Sequence, residues 1–433
     1  MSKLESVIGG YLRRFGEQES HALPHFNRTY EHVLSVPVFD EPEDFLCRIF
    51  KQCNCDDILV IAVVNTPDNA TPQQVVRTRQ TLTALQSGTP AADPLALTSV
   101  AVAADRQVRT LIINRTAERA IPTRQGVGLA RKIGADIALQ LYAKKIVDDP
   151  RMFMTDADVR LPAGYFDAIQ DDSGTVLYPF RHVANDPVLL AKAQLYELHI
   201  RYYAWALRRA GSPYAFPSLG STIAVHAQAY VKVRGIPKRN AAEDFYFLNK
   251  LAKVAPVTVI SEPEIEIDSR LSERVPFGTG PALRKMTELQ MPYASYNISS
   301  FEVLKQTLSR LTDFATHNRW SRVAATEQLL QQLGWQTFMQ KARDHYPPGQ
   351  QRLRMVHEWF DGFRTLRFIH LLRTQFPDQP LVDTLTQHFD EAGFSGSRPA
   401  GQPGEPEILL RQIRQSEHGL VLGVGSLLTS RGR

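Results

Sequence analysis

Ile58 to Val64 is the strongest apolar run in the chain, rich in β-branched side chains, and it ends at Asn65-Thr66-Pro67-Asp68. A short run of this kind, without polar alternation and closed by turn residues, predicts a strand buried on both faces, as in a parallel sheet. It falls far short of the ~20 residues a membrane helix needs. Around it, from His32 to about Asp268, strand-like and helix-like segments alternate. Val33 to Phe39 predicts a strand and Glu43 to Gln52 a helix. Thr71 to Gln86 predicts a second helix, and Val108 to Ile113 a third strand. Gly126 to Tyr142 has helical spacing, with Leu129, Ile133, Ile137 and Leu141 on one stripe. It leads to a fourth strand at Met152-Phe153-Met154-Thr155. A βαβα series implies an α/β sheet with right-handed crossovers, whose ligands bind at the carboxyl ends of the strands.

The chain has 433 residues, which predicts more than one domain. Beyond about Gly280, Phe301–Leu311, Arg322–Leu333, Arg352–Arg373 and Leu381–Phe389 show apolar residues at helical intervals. The expected division is a helical extension over 1–30, an α/β domain over 31–280, a mainly α-helical C-terminal domain over 281–390, and a linker and tail over 391–433. No internal repeat is present. A net charge of +5 and a pI near 9.0 favour anionic partners. Cys47, Cys53 and Cys55 are odd in number and clustered, which suits a reducing compartment better than a disulfide framework. With no signal peptide in Met1 to Gly16, the expected location is the cytoplasm, with peripheral contact at the inner membrane surface as the alternative.

Asp156-Ala157-Asp158 directly follows the fourth strand. Residues i and i+2 of an extended chain point the same way, so both carboxylates can share one Mg²⁺ or Mn²⁺ and leave its other positions to phosphate oxygens. The same tripeptide also suits a simple turn before Leu161-Pro162. Asp40-Glu41, Asn65 to Asp68 and Asp156 to Asp158 all follow strands, so they are expected on one rim. A second acidic pair, Glu243-Asp244, opens an amphipathic helix after the turn Arg234-Gly235-Ile236-Pro237. Carboxylates there complement the helix dipole, and one facing a cavity can also accept a proton from an attacking hydroxyl. Arg270 and Arg274 lie beside a Gly-rich turn, Gly278-Thr279-Gly280, and have the fork geometry that matches phosphate, although a solvated loop gives the same pattern. His182, His199 and His226 lie between the acidic pairs, each available to a metal shell or to ordinary packing.

Taken in order, these segments resemble the family 2 glycosyltransferases, which use the GT-A fold. Val36-Pro37-Val38-Phe39-Asp40-Glu41 resembles the family's first-strand motif, and Gly126 to Gly134 its Gly-rich helix, with Arg131 at the family's arginine. Thr155 to Asp158 with Leu161-Pro162 resembles the Asp-x-Asp element, and Gly235 to Asp244 the acceptor-side loop. The resemblance spans roughly residues 30 to 275 and implies a Rossmann-like mixed sheet flanked by helices. It implies that Asp156 and Asp158 hold a divalent metal, Mn²⁺ or Mg²⁺, on a UDP- or GDP-linked sugar. Pro37, Asp40, Glu41, Asn65, Asp68, Arg131, Asp156, Arg270 and Arg274 would form the donor site. Asp244, with Glu243 as the alternative, would be the general base of an inverting transfer of one sugar. The family's Gln-x-x-Arg-Trp motif and membrane helices have no counterpart here, and Asn65 to Asp68 departs from the usual base-contacting pattern. The acceptor stays open, whether glycan, lipid-linked or small molecule. The C-terminal helices are assigned to acceptor recognition or to a homo-oligomer.

Two rival readings remain. A sugar nucleotidyltransferase would place a Gly-rich, basic phosphate loop after the first strand, where this chain has Asp40-Glu41-Pro42-Glu43-Asp44. An inactive scaffold or nucleic-acid-binding protein would account for the basic charge. Arg352, Arg354, Arg364, Arg367 and Arg373 alternate with Phe360, Phe363 and Phe368, however, as on a helix with one wet and one packed face.

Overall fold

The computed structural model describes residues 3–86, 95–169, 174–271, 279–288, 292–391, 406–417 and 419–425. Its contacts divide the chain into two compact units. One comprises Met1–Asn185, Ser218–Leu251 and Val257–Pro281; the other comprises Asp186–Pro217, Ala252–Pro256 and Ala282–Arg433.

The first unit is a mixed α/β layer structure. Its strands are β1 (His32–Val38), β2 (Ile58–Asn65), β3 (Leu95–Ala103), β4 (Arg106–Arg115), β5 (Arg151–Met154), β6 (Val159–Arg160), β7 (Thr175–Leu177), β8 (Phe180–Val183), β9 (Ile223–His226), β10 (Val257–Val259) and β11 (Ile265–Asp268). The main sheet runs in the order β10-β7-β9-β5-β1-β2-β4-β3. Its centre is parallel, β1 pairing with β2 and β5, and β2 with β4, while β9 lies antiparallel between β5 and β7. Every residue of β2 is buried, as its unbroken apolar run predicts. Each Val or Ile so buried contributes about 1.5–3 kcal/mol.

The helices of this unit are α1 (Lys3–Phe15), α2 (Phe45–Ile49), α3 (Pro72–Leu85) and α4 (Gly126–Ala143), then α6 (Ala227–Lys232) and the start of α7 (Glu243–Val254), with α5 (Pro187–Arg209) belonging to the second unit. Thr71 and Gln74 form a reciprocal capping box at the start of α3. Helix α4 packs directly on the sheet, and a Cβ on Gly134 would meet the Ser35 hydroxyl at 2.0 Å. Only glycine permits that approach. Pro37 is tolerated in a central strand for a related reason. Ser35 and Pro37 present their backbone polar groups toward β5, and that pairing ends at Ser35↔Met154 with Thr155 N–H donating to the Ser35 carbonyl. The donor that proline lacks has no partner strand to miss.

A small second sheet, β6-β11-β8, returns the chain to the Asp-x-Asp turn. The Asp268 N–H donates to the Asp158 carbonyl at 2.8 Å, which sets Arg270 beside Asp158.

Two expectations need amendment. The strand predicted at Val108–Ile113 is one arm of a hairpin whose other arm, β3, has alternating exposure and small side chains that hide it in the sequence. The helix expected over Arg352–Arg373 is two helices, because the Asp361 carboxylate accepts from the Arg364 N–H at 3.1 Å and caps a fresh start.

The second unit is mainly helical. Besides α5 it contains α8 (Thr279–Glu288), α9 (Ile298–His317), α10 (Ala324–Gln332), α11 (Trp335–His345), α12 (Gln350–Trp359), α13 (Gly362–Leu372), α14 (Leu381–Glu391) and α15 (Pro406–Gln415). Its core gathers Leu304, Leu308, Leu311 and Phe314 of α9 against Trp335, Val356, Phe368 and Ile369. Buried Arg201 joins Glu197 to Glu417, and Arg414 also reaches Glu197, so α15 is tied to α5 by charge as well as by apolar contact.

Candidate active site

Because β1, β2 and β5 are parallel neighbours, their carboxyl ends share one rim. Phe39 to Glu41 leaves β1 there, Asn65 ends β2, and Thr155 to Asp158 leaves β5. Two arginines from distant parts of the chain stitch this rim together.

Arg131 rises from α4 with its guanidinium 7% exposed. Its Nη2 donates to Asp156 Oδ1 at 2.6 Å, its Nε to Glu243 Oε1 at 2.9 Å and its Nη1 to the Gly220 carbonyl at 3.0 Å. Burial would lower its pKa, yet Asp156, Glu243 and Asp244 together raise it above the ordinary arginine value. The approach of α4 to the 237–240 backbone needs another glycine. A Cβ on Gly128 would lie 2.5 Å from the Pro237 carbonyl, and the Gly128 N–H instead donates to the Arg239 carbonyl at 3.0 Å. This contact sets the spacing between α4 and the loop that leads into α7.

Arg270 makes the second bridge. It forks onto Glu41, with Nη1 donating to Oε2 at 2.7 Å and Nη2 to Oε1, and Nη2 also reaches Asp158 Oδ2 at 3.1 Å. Burial alone would lower its pKa, but hydrogen bonding to Glu41 and the charges of Asp158 and Glu41 raise it. Its Nε is buried and has no partner among the described residues. The rim also holds Asn65 Oδ1 and Thr155 Oγ1, both buried and both without a partner among the described residues. Buried polar atoms in folded chains are normally satisfied. Such orphans suit a polar ligand.

At the start of α7, burial first and then the adjacent Asp244 push the Glu243 carboxyl up to about 7, with Arg131 pulling the other way. Asp244 is raised as well, chiefly by burial, although the Phe245 N–H donates to its Oδ1 at 2.7 Å. Glu243 is 4% exposed, whereas Asp244 keeps part of its surface open.

The other candidates are placed as follows. Asp40 sits at φ 57° with its carboxylate 2.6 Å from Arg77 Nε, and its N–H donates to the Thr78 hydroxyl. Asp68 is exposed and accepts from the Thr123 N–H at 2.9 Å and from its hydroxyl, bonds that lower its pKa. Neither residue is joined by these bonds to the two arginine bridges. Arg274 lies outside the described residues. His226 caps α6 by accepting from the Gln228 N–H, His199 bonds to Ser295 in the second unit, and His182 is buried in β8. No group of three or more His, Cys, Asp or Glu side chains among the described residues has the arrangement to hold a metal ion. Asp156 and Asp158, with side chains 33% and 21% exposed, are nonetheless hard oxygen donors of the kind Mg²⁺ and Mn²⁺ take in ones and twos, with water and phosphate filling the remaining positions. The carboxylates Glu41, Asp156, Asp158 and Asp244 outnumber the guanidinium groups of Arg131 and Arg270, which leaves the site anionic and suited to a cation. Arg77, Thr123 and the Gly220 carbonyl were not foreseen, since nothing in their local sequence marks them.

No protein-family model matches the chain, and no curated protein matches it. Among solved structures it is similar to the mannosyltransferase PcManGT from Pyrobaculum calidifontis in complex with GDP-Man and Mn²⁺, at 15% identity and a TM-score of 0.34, covering 94% of this chain and 90% of that one. It is also similar to a mycobacterial protein, at 13% identity and a TM-score of 0.28, covering 70% of this chain and 78% of that one. Neither overlap is close enough to transfer a substrate or a residue role. No helix among the described residues is long and apolar enough to cross a membrane.

Proposed function

We propose that the chain is a divalent-metal-dependent glycosyltransferase of the GT-A type, related to family 2, that moves one sugar from a nucleotide-sugar to an acceptor hydroxyl. The observation that carries this reading is the placement of Asp156 and Asp158 at the carboxyl end of β5, joined through Arg131 to Glu243 and through Arg270 to Glu41. A donor diphosphate and an acceptor would then meet on one anionic rim.

In this reading Asp156 and Asp158 would hold Mn²⁺ or Mg²⁺, which when bound would neutralise charge on the departing nucleotide. Arg131 fixes the Asp156 carboxylate and keeps Glu243 occupied, so that Asp244 is the carboxylate left to act as base. Asp244 accepts the acceptor's hydroxyl proton while the acceptor oxygen bonds to the anomeric carbon. The bond from that carbon to the phosphate oxygen breaks, and its electron pair leaves with the nucleoside diphosphate. Attack opposite the leaving group inverts the anomeric centre. Asn65, Asp40 and Glu41 line the nucleoside side, with Pro37 shaping the end of β1, and the Arg270 Nε, which has no partner among the described residues, is a donor for a phosphate oxygen. The helical second unit is assigned to acceptor recognition or self-association.

The test is release of nucleoside diphosphate from UDP- and GDP-sugars, with water standing in for the acceptor, in the presence and absence of Mn²⁺. Release from one donor that needs the metal and disappears in Asp156→Asn/Asp158→Asn supports the reading. Equal release by that variant contradicts it.

A further inference from the structure

Helix α1 buries Ile8, Tyr11 and Leu12 against the first unit. A stripe flanking that face carries Lys3, Val7 and Arg14 at helical intervals, and Val7 is 48% exposed. At its end Phe15 is 40% exposed, a high value for a ring of that size. The loop between α6 and α7 is folded against this helix end. The Arg234 guanidinium lies 5.3 Å over the Phe15 ring, and Lys238 Nζ lies 3.2 Å from Glu17. Arg13 and Arg14 leave this helix end, and Lys232, Arg234, Lys238 and Arg239 belong to the segment folded against it; all six residues are exposed, with the Arg239 guanidinium stacked 3.9 Å over the Tyr246 ring. Glu17 is the carboxylate set among them, and it already serves Lys132 and Lys238.

From this surface we infer that the protein docks on an anionic lipid bilayer, with the basic groups over the headgroups and Phe15 and Val7 at the interface. Exposed cations gathered at this junction attract polyanions in general. The apolar side chains among them favour a lipid surface over nucleic acid, because a bilayer takes up both kinds of group at once. The same loop runs directly into Glu243 and Asp244 at the start of α7, so docking brings the bilayer to the loop that precedes the candidate base. The docking inference itself does not rest on the glycosyl-transfer reading.

The experiment is co-sedimentation of the full chain with phosphatidylcholine vesicles and with vesicles that also contain phosphatidylserine, across rising NaCl. Arg13→Glu/Arg14→Glu, two changes at exposed positions, is compared with the parent chain, and an unchanged Tm establishes that the variant is folded. Binding to the anionic vesicles alone, falling with salt and weakened at least about tenfold by the charge reversal, is the expected result. A Phe15→Ser chain should bind more weakly at equal salt. No binding to anionic vesicles at low salt overturns the inference. So does equal binding by the folded charge-reversal variant, or retention of a single-stranded oligonucleotide without vesicle binding.

Discussion

Arg131 holds Asp156 and Glu243 at once, 2.6 Å from one carboxylate and 2.9 Å from the other. Asp156, two residues beyond the end of β5, and Glu243, the first residue of α7, are thereby set relative to each other by a single buried side chain. Replacing Arg131 with methionine takes the shared donor from Asp156 and from buried Glu243, whose carboxyl then keeps its proton and loses a hydrogen bond, at a cost of about 1–3 kcal/mol. Urea denaturation of Arg131→Met is expected to show a loss of that order. A change below about 1 kcal/mol would show that the bridge does not support the fold.

The Glu243 carboxyl, pushed up to about 7 by burial and by Asp244, predicts a pH dependence of definite sign. Unfolded glutamate releases its proton near pH 4.3, about where model peptides do, so between there and about 7 the folded chain binds more protons than the unfolded one. Stability from this group is complete below the unfolded value and is lost as pH rises through about 7. Glu243→Gln should flatten that decline in urea midpoints, while Asp244, also raised, retains part of it. An unaltered slope would mean that Glu243 titrates normally.

Asp244→Asn should leave nucleotide binding intact and lower turnover by about 10²–10⁴-fold, the range for loss of a positioned general base. If turnover persists and falls instead in Glu243→Gln, the two roles are exchanged.

Arg270 forks onto Glu41 and touches Asp158, while its Nε has no partner among the described residues. Arg270→Ala is expected to weaken nucleoside-diphosphate affinity on the order of tenfold, about 1.4 kcal/mol, with the fold retained. Unchanged affinity would restrict Arg270 to neutralising Glu41.

Away from the rim, Asp136 is fully buried and accepts from the hydroxyls of Tyr11 and Tyr230, each at 2.7 Å, from the Glu17 N–H at 3.0 Å, and from Lys132. It ties α1 to α4. Asp136→Ala takes the acceptor from the hydroxyls of Tyr11 and Tyr230 and from the Glu17 N–H, and leaves Lys132 to Glu17 and the Phe15 carbonyl; it should destabilise the chain by about 3–5 kcal/mol, whereas Tyr11→Phe should cost about 1–3 kcal/mol. Proteolysis within residues 3–15 should accelerate in both.

The centre of the sheet was readable because β2 is buried along its whole length and its run of Ile and Val therefore admits little else. Strand β3 escaped because an edge arm with alternating exposure has no continuous apolar signal, and α5 because buried Glu197 and Arg201 interrupt its apolar stripe. Asp156 and Asp158 were found through their spacing of two. Their counter-ions were a different matter. Arg131 meets Glu243 across 112 residues and Arg270 meets Glu41 across 229, and no local pattern encodes such a pairing. The resemblance supplied candidates for the site, but the two bridges come from the return of β11 alongside β6 and from the close approach of α4 to the 237–240 backbone.

The central claim is best tested by isothermal titration of the purified chain with UDP, GDP and their sugar conjugates, with and without Mn²⁺, alongside Asp156→Ala/Asp158→Ala. The account predicts metal-dependent binding of one nucleotide, abolished in that variant. Absence of binding to every nucleotide, or binding indifferent to both the metal and the two aspartates, would contradict it.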